Sequence, residues 1–173
     1  KITVEQDRAK SVSQRLKIED AFADTAKSKF YSSWVYSGIH NLSALPSMNS
    51  SQAVASHLHL PRELVQEIVE FLIEHRLCVM TEKGLSYGPQ RTHAGADSIW
   101  AIQHHKNWRA QAEQKMSLKN SQDLFFTFPM SLSVKDAEAI RKLLPQWIEE
   151  IHKIVGPSDS EVVRCLNMDF FEY

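Results

Sequence analysis

Arg62, Gln66 and Lys83 are the residues of this chain whose types suit recognition of a nucleic acid. Lysine and arginine offer cations to phosphates, and arginine and glutamine can hydrogen-bond the edges of bases. Arg62 and Gln66 are four residues apart, so a helix would carry both on one side. The same exposed arc holds Glu63, Glu67, Glu70 and Glu74. Over residues 30–90, three Lys and Arg (Arg62, Arg76, Lys83) stand against five acids (Glu63, Glu67, Glu70, Glu74, Glu82), a net charge of −2. A phosphate-binding surface needs the opposite sign. The arc is therefore expected to touch protein rather than duplex. Ile73 and Glu70 are the partner-binding candidates, because Ile73 places an apolar spot beside Gln66 on the solvent side. If duplex does bind here, Arg62, Gln66 and Lys83 are the expected contacts.

Metal and catalytic chemistry find no pattern. The chain has eight histidines. His57 and His59 straddle an expected turn, His104 and His105 are adjacent, and His75 lies near Cys78. None of them forms HExxH or a paired-cysteine zinc spacing. There is no GxSxG, P-loop or dinucleotide-binding glycine run among the five glycines. Glu149-Glu150 reads as solvated charge on a helix. No catalytic residue, metal or cofactor is expected.

The elements that must position these residues are legible between Gln52 and Tyr87. Ser51 to Leu58 has helical spacing in Ala53, Val54 and Leu58. His57-Leu58-His59-Leu60-Pro61 is a turn, and Pro61 suits the start of the next helix, where its missing N–H costs nothing. That helix runs to about Arg76, with Leu64, Val65, Ile68, Phe71 and Leu72 on its apolar side. Leu77-Cys78-Val79-Met80 reads as a strand. Thr81-Glu82-Lys83-Gly84 reads as a turn with Gly84 at positive φ, and Leu85-Ser86-Tyr87 as the return strand. The layout is that of a winged helix-turn-helix.

Around this core, residues 1–29 are polar with a thin helical stripe and read as a helical connector. Phe30 to Leu45 is predicted as one aromatic-rich helix ending near Pro46. Gly88 to Gly95 reads as a linker, and Asp97 as the N-cap of a helix to Lys115. Leu124-Phe125-Phe126-Thr127-Phe128 is predicted as a strand. Ser133 to Asp136 looks like a capping box. The helix behind it puts Ala137, Ile140, Leu144, Trp147, Ile148, Ile151 and Val155 on one arc, kinks at Pro145 and stops at Gly156-Pro157. Val162 to Phe171 is predicted as a final strand. Cys78 and Cys165 both fall in these strands and are expected to be buried thiols. Core packing accounts for the aromatic residues, although Trp100, Trp108, Trp147 and the phenylalanine cluster would also serve a small ligand or a dimer interface.

From about residue 29 onward the chain resembles an uncharacterised bacterial family labelled as transcriptional regulators. The resemblance rests on Phe30-Tyr31-Ser32-Ser33-Trp34, the helix pair from Ala55 to Leu72, the Gly84 hairpin, Ile99 to Lys106 and Val163 to Phe171. That family usually has glycine in the inter-helix turn, where this chain has His59, and often glycine before the wing, where it has Arg76-Leu77. The resemblance implies a role in gene regulation and supplies no catalytic residue.

The expected fold is α+β and mainly α: a helical connector (1–29), a winged helix-turn-helix (30–90), and a helix plus strand-helix-strand subdomain (96–173). The expected function is the regulatory or dimerisation part of a bacterial transcriptional regulator, with a protein-interaction module lacking DNA binding as the alternative. A homodimer, DNA held through an upstream domain, and a protein partner are the partners considered. With no apolar run of about 18 residues, no membrane span is expected. The composition, 43% hydrophobic and 24% charged, suits an ordinary soluble globular protein, and two cysteines read as buried thiols fit a reducing cytoplasm.

Overall fold

The computed structural model describes residues 24–90, 92 and 98–173. Most of the expected connector and the expected Asp97 cap lie outside the described residues. The chain divides into two units, Lys1–Asn107 and Trp108–Tyr173. Among the described residues the fold is α+β and mainly helical, with one antiparallel hairpin as its sheet.

In the first unit, α1 (Asp24–Phe30) and α2 (Trp34–Leu42) are separated by a short break. The sequence placed one helix over Phe30 to Leu45, whereas the helix begins at Trp34 and ends at Leu42. The Ser32 hydroxyl donates to the Lys29 carbonyl at 2.7 Å. Ser33 then caps α2 by accepting from the Val35 N–H. Two serines in a row thus offer the backbone local partners that compete with a continuous helix. A 3-10 turn, Pro46–Met48, leads to α3 (Ser51–Leu58) and α4 (Arg62–Glu74). Ser50 caps α3 through the Ala53 N–H. The strands β1 (Cys78–Thr81) and β2 (Gly84–Tyr87) pair with Cys78 opposite Tyr87 and Thr81 opposite Gly84.

The stripe of α4 centred on Val65, Ile68, Val69 and Leu72 is buried against Phe30, Ile39, Leu42, Val54, Leu77 and Leu85. Leu64, expected in that stripe, sits at its margin and is exposed. Val69 takes its place. The hairpin is tied down by Leu85 N–H to Asn49 O at 2.7 Å and Gly88 N–H to Leu77 O at 2.7 Å. Gly84 has φ of 102°, and a Cβ there would lie 2.3 Å from Asn49 O. Among the described residues it is the one glycine at positive φ, a conformation that other residues adopt only with strain.

Both departures from the expected glycine pattern hold the backbone that glycine favours. His59 has φ of 54° and Arg76 φ of 59°. His59 closes α3 in the left-handed region, with its N–H donating to Ala55 O. The N-terminal part of α5 (Ile99–Met116) belongs to the first unit. There Asn107 donates to Tyr31 O at 2.9 Å and His104 meets the Tyr31 ring edge-on.

The second unit holds α6 (Val134–Val155), which runs unbroken past Pro145. Its start matches the expected cap: Ser133 Oγ accepts from the Asp136 N–H and donates to its carboxylate. The two predicted strands are not formed. Residues 124–128 and 162–171 carry no ladder. Strand propensity describes a fit to a pleated, half-buried surface, and a ladder needs a neighbour. Among the described residues neither segment has one. Side chains hold them instead: Arg164 to Asp123 at 3.1 Å, Arg109 to the Asp169 carboxylate, and Asn167 to Trp108 O. Cys165, expected buried, is exposed, while Cys78 is buried as expected. Cys165 was expected in a sheet that would cover it, and the segment 162–171 forms none.

Candidate functional site

The exposed face of α4 gathers the residues that the sequence singled out. Arg62 opens the helix, and Gln66, Glu67, Glu70 and Glu74 follow on its solvent side. All five are exposed. Lys83 sits exposed in the β1–β2 turn, where its N–H donates to Thr81 Oγ1.

Gln66 is held by two side-chain hydrogen bonds within the protein. Its carbonyl oxygen accepts from Ser51 Oγ at 2.6 Å. Its amide donates to the Glu70 carboxylate at 2.9 Å. Both ends of the amide are thus engaged within the protein, and a base edge would have to displace them. Glu70 is exposed, as a partner contact must be, and is part of this relay. Ile73 differs from expectation. It is only partly exposed and packs against the core cluster. The apolar spot on the outward arc is Leu64 instead.

On the flank of α4, Glu67 pairs with Lys29 at 3.6 Å. Lys29 also lies 5.2 Å from the centre of the Phe71 ring. Tyr36 meets Phe71 edge-on at 5.3 Å. Burial pushes the Tyr36 phenol up, Lys29 pulls it down and Glu67 pushes it up again. Sequence reading missed Lys29, which was assigned to the connector. It lies 38 positions from Glu67, and no local spacing could link them. The ion pair is exposed, so it contributes little to stability. Among the described residues Glu63, Glu70 and Glu74 form no ion pair, and against the single cation Arg62 they leave that face of α4 negative.

His40 is the one buried polar side chain with an orphaned atom, its Nε2, among the described residues. It stacks on Tyr87 with ring centres 4.1 Å apart. Burial lowers its pKa to about 4, with the Leu77 backbone opposing. A neutral imidazole in such a place is a core residue. It ties α2 to the hairpin beneath α4.

Among the described residues no group of three or more His, Cys, Asp or Glu could hold a metal ion. None of their helices is long and apolar enough to cross a membrane.

No curated protein and no solved structure matches the chain. A family model described as a domain of unknown function (DUF4423) matches residues 8–173. With the match running over nearly all of its length, the chain belongs to the DUF4423 family.

Proposed function

We propose that residues 30–90 form a winged helix-turn-helix whose outward helix contacts protein, and that the chain is the regulatory or dimerisation part of a transcriptional regulator. The arrangement α3, left-handed turn at His59, α4 and β1–β2 hairpin supports the module. The observation that carries the protein-facing reading is the Ser51–Gln66–Glu70 relay on an acidic face. A helix that reads bases needs free donors and a positive surround. This helix spends its one amide internally and surrounds it with carboxylates. The role is non-enzymatic, and the DNA contact of the full regulator belongs to another segment.

An electrophoretic shift of this chain against random duplex tests the reading. Binding no tighter than about micromolar at low salt is expected. A tight, salt-sensitive shift that Arg62→Ala abolishes would contradict it. The acidic face would serve equally in a protein-interaction module with no nucleic-acid role. A regulator whose longer form also ignores all duplex would favour that second reading.

A further inference from the structure

We draw no further inference here: the strongest candidate, the surface patch of exposed aromatic and aliphatic side chains on α6 and its flanking segments in the second unit (Phe126, Phe128, Trp147, Ile154 and Phe171), carries nothing because nothing in the structure shows what covers it.

Discussion

The two amphipathic helices α4 and α6 stand in the same chain and meet different fates. The apolar side of α4 is covered: Val65, Ile68 and Leu72 are each at most 2% exposed. The apolar side of α6 is covered only in part: Ala137, Ile140, Leu144 and Ile151 are half-buried, while Trp147 and Ile154 are exposed. The difference lies in the neighbours, not in the helices. In the first unit, α2, α3 and a hairpin fold back within a few tens of residues and close a core over α4. In the second unit, two extended segments flank α6 without forming the sheet that their residue types favour. An amphipathic pattern specifies that a face must be covered, and says nothing of whether the cover comes from the same chain.

Unfolding measurements separate the two cases most widely at Leu72 and Leu144. Leu72→Ala should lower stability by about 2–5 kcal/mol, since it opens a cavity in a closed core. Leu144→Ala should cost below about 1 kcal/mol in dilute protein, because its site is not closed. Equal costs in a urea titration would erase the contrast.

Acid should attack the first unit through His40. Its folded-state pKa is lowered to about 4 from an ordinary 6.5. The unfolded chain therefore binds the proton first. The stability is fully present above pH 6.5, falls as the pH drops toward 4, and levels off below that. The loss should be about 3 kcal/mol. His40→Phe should flatten this part of the profile, read as unfolding midpoints across that range.

Gly84→Ala should destabilise by about 2 kcal/mol, from a left-handed backbone and a collision with Asn49 O. The smallest change has the opposite sign. His59→Gly should stabilise by up to about 1 kcal/mol, because the left-handed cost to an L-residue exceeds glycine's loss of chain entropy only slightly. His59→Val should destabilise. Both are readable by thermal unfolding.

Much of the first unit was legible in the residues. Helical steps placed α3 at its observed bounds, and the glycine at position 84 located the turn of the hairpin. The departure at His59 was compatible with positive φ, which histidine tolerates; the positive φ of Arg76 emerged only with the structure. What escaped was long-range. Lys29 reaches Glu67 across 38 positions, and the Ser51–Gln66 bond spans the turn between α3 and α4. Ile73 was read from a helical wheel, which fixes a direction but not what packs beyond it. The C-terminal strands failed for a related reason. Leu124 to Phe128 and Val162 to Phe171 have strand chemistry, yet a strand exists only beside another. Local sequence carries the propensity, and the partner is a property of the whole assembly.

Hydrogen exchange followed as a function of protein concentration tests the contrast most directly. The amides of α4 should be protected equally at all concentrations, because their cover is in the same chain. The amides of α6 should exchange quickly in dilute protein and gain protection as concentration rises. If α6 is as protected as α4 in dilute, single-chain protein, its face is already covered at home, and the account fails.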